Sequence, residues 1–110
     1  MKSIIQKDTE HCFLCGRSHR ADYYGLDCHH VYGGANRKLS EKYGLKVYLC
    51  HTSCHIFGKD SVHQNAKKNR LVQMIVQQRA MHHYGWSEQD FIRIFGKSYL
   101  GVEHEETRNE

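Results

Sequence analysis

The sequence predicts a small α+β domain, and three observations carry that prediction. Short β-favouring runs lie at 26–32 and 45–49, apolar residues recur at helical spacing between Gln64 and Tyr84, and two close cysteine pairs, Cys12-x2-Cys15 and Cys50-x3-Cys54, bracket both β-favouring runs. At 110 residues the chain has the length of one domain, and a core of that size gains only modestly from burial. A bound structural metal would supply part of what the core lacks.

In chain order, residues 1–11 are ambiguous and allow a short strand. Cys12-Phe13-Leu14-Cys15-Gly16 has the form of the turn that closes a zinc knuckle, with Gly16 permitting a positive φ. The run from Leu26 to Tyr32 is β-favouring and ends at Gly33-Gly34, and Arg37 to Tyr43 reads as a short helix stopped by Gly44. Leu45 to Leu49, with Val47 and Tyr48, predicts a second strand leading into Cys50. Leu71, Met74, Ile75 and Met81, flanked by Val72 and Val76, are spaced for the longest helix, and Gly85 stands where its C-cap falls. Ser87-x-x-Asp90 ahead of Phe91, Ile92, Ile94 and Phe95 is a capping-box start for a last short helix ending at Gly96. Both helices read as packing elements. Proline is absent and no linker or repeat interrupts the chain, so 1–102 is expected to be a single unit, followed by a flexible acidic tail at 103–110.

Composition narrows the function classes. With 39% hydrophobic and 25% charged residues, no apolar run reaches the roughly 20 residues needed to cross a bilayer. The segment from Met1 to Asp8 lacks the apolar stretch of roughly 7 to 15 residues that a secretory signal carries, so a cytoplasmic location is expected, the host cell cytoplasm if the chain is phage-encoded. Five cysteines in close pairs, in a chain with no export signal, fit metal binding better than a disulfide framework. The 16 Lys and Arg outnumber the 12 Asp and Glu, and the last eight residues hold four of those acids and one Arg, which leaves 15 against 8 in the body. Between Asn36 and Arg79 only Glu41 and Asp60 oppose nine cations. That imbalance favours a polyanionic partner.

Zinc takes four cysteine sulfurs in a closed tetrahedral shell, which assigns Cys12, Cys15, Cys50 and Cys54 to a structural site. Cys28 lies outside both pairs and reads as a small buried core residue. Adjacent histidines on a strand face opposite ways, so His29 and His30 divide two roles between them, one holding a divalent ion and the other accepting a proton from water. His82-His83 has the same form but no such context and is given a surface or packing role.

The series Cys12-x2-Cys15, His29-His30, Asn36 and Leu49-Cys50-x3-Cys54-His55 resembles the HNH endonuclease family with its ββα-metal, or treble-clef, finger. Further matches, at His29 to Arg37, Ser40 to Leu45, Val62-His63 and Phe95 to Leu100, resemble phage-encoded HNH proteins, including the recombination-enhancement (Ref-like) nucleases. The resemblance implies a zinc-stabilised HNH core with C-terminal helices and a metal-dependent DNA endonuclease active in DNA recombination or processing. It further implies His30 as general base, His29, His55 and His63 as ligands of a catalytic Mg²⁺, Mn²⁺, Ni²⁺ or Zn²⁺, and a recombinase or phage packaging protein as a partner besides DNA. The x3 spacing of the second pair departs from the commoner x2 and makes His51 an alternative zinc ligand. Asn36 is taken as the family asparagine, orienting the loop that carries His30, with a plain turn-forming role as the alternative.

Arg37, Lys38, Lys42, Lys46 and Lys59 surround these histidines in sequence and form the expected phosphate cradle, against the plain alternative of a solvated charged face. Tyr23, Tyr24, Tyr32, Trp86 and Tyr99 read as half-buried core aromatics. The rival to an endonuclease is a non-catalytic, zinc-stabilised nucleic-acid-binding module. What separates the two is an open coordination position, which catalysis needs and a structural site lacks.

Overall fold

A computed structural model describes residues 1–100, and the acidic tail expected at 103–110 lies outside the described residues. The two β-favouring runs pair as an antiparallel ribbon, β1 (Leu26–His30) against β2 (Lys46–Cys50), with Leu26 opposite Cys50 and His30 opposite Lys46. β2 is buried at every position but Tyr48, so Val47 and Leu49 anchor the core. One 3₁₀ turn precedes the ribbon at His19–Ala21, and another, Gly34–Asn36, leads into the helix α1 (Arg37–Tyr43) that connects the strands.

No strand forms at 1–11. Instead, two side chains of this segment and the backbone just after it satisfy the free edge of β2. Ser3 Oγ donates to the Lys46 carbonyl at 2.6 Å, Gln6 Oε1 accepts from the Tyr48 N–H at 2.8 Å, and the Phe13 N–H donates to the Tyr48 carbonyl. An edge that would otherwise invite pairing with another chain is thereby covered. Gly44 makes the arrangement possible: its φ is +71°, and a Cβ there would sit 2.6 Å from the Lys2 carbonyl oxygen.

After β2 the chain enters a single π-helical turn, His51–Ile56, and then α2 (Ala66–Tyr84) and α3 (Glu88–Phe95). Asn65 caps α2 by accepting from the Lys68 N–H, and the expected Gly85 closes it in the left-handed region. The capping box of Ser87 and Asp90 is formed at the start of α3. The buried face of α2 differs from the expected one. Val72, Val76, Gln77 and Ala80 point inward, while Leu71 is 40% exposed. Gln77 displaces the longer aliphatic residues because it serves the C-terminal segment, donating to Ser98 Oγ at 3.0 Å and accepting from the Tyr99 N–H at 2.7 Å. A buried amide so satisfied avoids the cost of an orphaned polar group.

Tyr32 is the hub of the core. It is fully buried, its ring meets those of Phe91, Phe95 and Tyr99, and its hydroxyl donates to the Gln73 carbonyl at 2.6 Å. Buried Ser40 exchanges two hydrogen bonds with the Tyr32 backbone. These contacts fasten the end of β1 to α1, α2 and α3 at once.

Candidate metal centres

The four paired cysteines meet. The Cys12 N–H donates to the Arg17 carbonyl, the Gly16 N–H donates back to the Cys12 carbonyl, and Gly16 takes φ +76°, so the knuckle closes as its sequence predicts. On the other side Cys50 ends β2 and Cys54 lies within the π turn, where the Phe57 N–H reaches five residues back to Thr52 at 3.0 Å. The extra residue of the x3 spacing is absorbed by that widened turn. All four sulfurs lie within 4.8 Å of one another, and those of Cys15 and Cys50 are 3.7 Å apart. Zinc–sulfur bonds of about 2.3 Å in tetrahedral geometry place sulfurs about 3.8 Å apart, so the cluster is dimensioned for zinc.

All five cysteines are free thiols. Burial raises the Cys12 thiol pKa, but backbone N–H groups of Cys15, Cys50 and Leu14 outweigh it and bring the value to about 7. Cys54 is pushed far above its usual range, first by burial and then by its hydrogen bonds to the neighbouring thiols. Four close sulfurs resist joint ionisation until a cation neutralises them. His51 is not part of this group, and Cys28, expected in the core, is exposed. Its position on β1 points it away from the packed interior.

A second convergence joins β1, the π turn and the segment after it. Asp27 and His29, two apart on β1, share a face. His55 presents Nδ1 to Asp27 Oδ2 at 2.7 Å, and its Nε2 lies 3.2 Å from His63 Nε2. His63 is carried back by backbone bonds from Val62 to Cys54 and from His63 to His55. Gly58 permits this return, since a Cβ there would lie 2.1 Å from the Ser53 carbonyl oxygen. The His29 ring is 5.1 Å from that of His55, and its buried Nε2 has no hydrogen-bond partner.

Distances separate ligands from their supports. Zinc–nitrogen bonds of about 2.0–2.1 Å imply tetrahedral edges of about 3.3 Å, which the 3.2 Å between His55 and His63 matches. The 2.5 and 2.7 Å contacts of His51 and His55 to Asp27 are hydrogen bonds instead. Asp27 therefore accepts from Nδ1 of both rings and leaves the Nε2 lone pair of His55 for an ion. Burial, followed by the neighbouring His55 and His63, lowers the His29 pKa to about 3, and burial likewise lowers that of His63. Asp27 sits below the usual carboxylate range: burial opposes this, but its bonds to His55 and His51 prevail. Burial thus holds His29 and His63 toward their neutral form, and the unpartnered Nε2 of His29, close to the ring nitrogens of His55 and His63, fits a divalent ion.

His30 faces away from that trio, as strand alternation requires. Its Nε2 lies 2.7 Å from Glu41 Oε1, and the same carboxylate accepts from Lys46 Nζ at 3.0 and 3.1 Å and from the Met1 ammonium at 2.8 Å. That ammonium, then His30 and Lys46, hold the Glu41 pKa far below its usual value. All four histidines nevertheless line one open cavity of about 370 Å³, together with Arg37 and with Asn69 and Gln73 of α2.

The remaining expected site residues scatter. Asn36 neither touches the histidines nor lines the cavity; its Nδ2 donates to the Phe95 carbonyl at 2.9 Å and ties its turn to the end of α3. Lys46 is buried against Glu41 and is not free for a phosphate. Lys38 and Lys42 are exposed on α1, whereas Lys59 lies in a separate recess with Arg17 and Lys68. Asp27, Glu41, Asn69 and Gln73 were not singled out from sequence. The i,i+2 spacing of Asp27 and His29 was a usable signal, and Glu41 stood out as an acid in a basic stretch. Nothing in α2 marks the face bearing Asn69 and Gln73. Among the described residues no helix is long and apolar enough to cross a membrane. Comparison with known protein families, curated proteins and solved structures finds no match for this chain.

Proposed function

We propose that this chain is a metal-dependent DNA endonuclease of the HNH type, with a structural zinc on Cys12, Cys15, Cys50 and Cys54 and a catalytic divalent ion on His29, His55 and His63. The observation that carries the proposal is the convergence of three imidazoles, with a fourth histidine on the same open cavity. Three protein ligands leave a coordination position open, as a catalytic site requires.

When bound, the ion would supply charge stabilisation to the phosphate and its departing oxygen. His30 takes the proton from the attacking water. Glu41 fixes its tautomer by accepting from Nε2–H, which leaves the Nδ1 lone pair as the base. Lys46 and the Met1 ammonium keep Glu41 ionised, so His30 does not lose its proton acceptor role to the carboxylate. Arg37 contacts a phosphate oxygen, and Asn69 and Gln73 offer neutral hydrogen bonds to the same backbone. Mg²⁺ prefers oxygen ligands, so an all-imidazole shell suits Zn²⁺, Ni²⁺ or Mn²⁺ as well or better. A phage-type role in recombination or DNA processing, with a recombinase or packaging protein as partner, belongs to the same proposal.

Supercoiled plasmid incubated with purified protein and Mg²⁺, Mn²⁺ or Ni²⁺ is expected to be nicked, and His30→Ala protein is expected to leave it intact. Retention of DNA without cutting in any ion would favour a zinc-stabilised nucleic-acid-binding module instead.

A further inference from the structure

Five large hydrophobic side chains stand exposed among the described residues, and three of them belong to one strip of aromatic rings. Tyr23 is 93%, Tyr24 66% and Phe57 64% exposed, against the half-buried core role that sequence assigns to the two tyrosines. Tyr23 meets Tyr24 at 5.0 Å, Tyr24 meets His51 at 4.9 Å, and His51 meets Phe57 at 5.8 Å between ring centroids. A buried aromatic side chain removes about 150–250 Å² from water, and leaving three of them outside forfeits that gain. Isolated exposed apolar residues need no account, but a contiguous patch does.

Local structure holds the strip in place. Asp22 accepts from the Tyr24 N–H at 3.0 Å and from the Thr52 N–H at 2.7 Å, fastening the Tyr23-Tyr24 turn to the π turn. His51 bonds to Asp27, which also holds the metal-site His55. At the other end of the strip Phe57 adjoins an open recess bearing Arg17, Lys59 and Lys68 with a single acid, Asp60. Arg17 is directed there by its bond to Ser53 Oγ at 3.2 Å. The surface thus offers open ring faces with a group of cations at its Phe57 end.

We infer that Tyr23, Tyr24 and Phe57 form a stacking platform for unpaired bases of a single-stranded nucleic acid whose phosphates lie along Arg17, Lys59 and Lys68. This rests on the nuclease proposal for the choice of a nucleic acid as ligand, but not on cleavage. Aromatic rings and cations together match a single strand, in which base faces and phosphates are both available. A duplex offers only its phosphates to such a surface, because its bases are stacked inside. A protein partner with an apolar face would use the rings but leave the three cations without a role.

The test is fluorescence-anisotropy binding of a labelled single-stranded DNA oligonucleotide and of its blunt duplex, without added divalent ion, using the full chain. Stacking contributes roughly 1–3 kcal/mol per base, so Tyr24→Ala and Phe57→Ala are each expected to weaken single-strand binding by roughly 5- to 150-fold while duplex binding changes less than about two-fold. Tyr24→Trp is expected to restore single-strand binding, which a collapsed fold would not allow. Equal loss on both DNAs, unchanged single-strand binding in the alanine variants, or no DNA binding by the parent chain would each overturn the platform. Plasmid nicking, assayed separately, reports on the nuclease proposal: a chain that cuts but shows no aromatic dependence of single-strand binding loses only the platform.

Discussion

At the scale of single residues, the two adjacent histidines meet different partners because a strand sends neighbours to opposite faces. His29 joins His55 and His63, and His30 goes to Glu41. That the two would face opposite ways was legible from strand alternation, and the meeting of the four cysteines from their paired spacing; a His-His pair alone is a weak signal, since His82-His83 has the same form, and only the place of His29-His30 between the cysteine pairs set it apart. The supporting carboxylates were not legible, since nothing local tells which acid will face which imidazole. Asp27→Asn is expected to lower divalent-ion affinity at the histidine centre by roughly 10- to 100-fold, the usual effect of removing the acceptor behind a ligand histidine. Isothermal titration with Mn²⁺ or Zn²⁺ after the cysteine site is filled would measure it, and unchanged affinity would remove Asp27 from that supporting role. Glu41→Gln is expected to lower nicking by roughly ten- to a hundred-fold, at or below the lower end of the roughly 10²–10⁴-fold that a general base supplies, because the base itself remains. The same variant should keep its zinc, because no cysteine contacts Glu41.

At the scale of elements, the helices and strands followed their sequence signals closely because those signals are local. Gly44, Gly85 and Gly96 all take positive φ where helices stop, and the capping box at Ser87 is formed. The misread segments are those decided by tertiary context. Residues 1–11 gave no strand because side chains of Ser3 and Gln6 already satisfy β2, and α2 turned Leu71 outward because Gln77 is needed beneath the C-terminal segment. Gly58 shows how an element sets up the site. Its position against the Ser53 carbonyl leaves no room for a side chain, and the turn it permits returns Val62 and His63 to the π turn. Gly58→Ala is therefore expected to lower thermal stability and to weaken ion binding by the histidines together. A variant with parental melting temperature and ion affinity would show that the turn can move aside. Gly85, with open space around it, is the control: alanine there pays only the left-handed φ, about 1 kcal/mol, and should leave ion binding untouched.

At the scale of the whole molecule, the two clusters are not independent, because the π turn supplies both Cys54 and His55. Whatever loosens the cysteine cluster moves a ligand of the histidine centre, so Cys15→Ser is expected to cost fold and ion binding together, as structural zinc binding is folding free energy. Acid should act on the same coupling from the other side. His29 has a folded pKa of about 3 against an ordinary 6.5, and His63 and Asp27 are shifted in the same downward direction. Between those values the unfolded chain binds protons that the folded chain refuses, so this contribution to stability is full above about pH 6.5 and is lost as pH drops toward 3. An ion on the histidines deepens this dependence, since protons compete for the same lone pairs. Thermal melts from pH 8 to pH 4 are expected to show a falling midpoint, with a larger fall when Mn²⁺ or Zn²⁺ is present at the start. A midpoint independent of pH over that range would mean that His29 is solvated in solution, and it would count against His29 as a buried ligand of the proposed ion site.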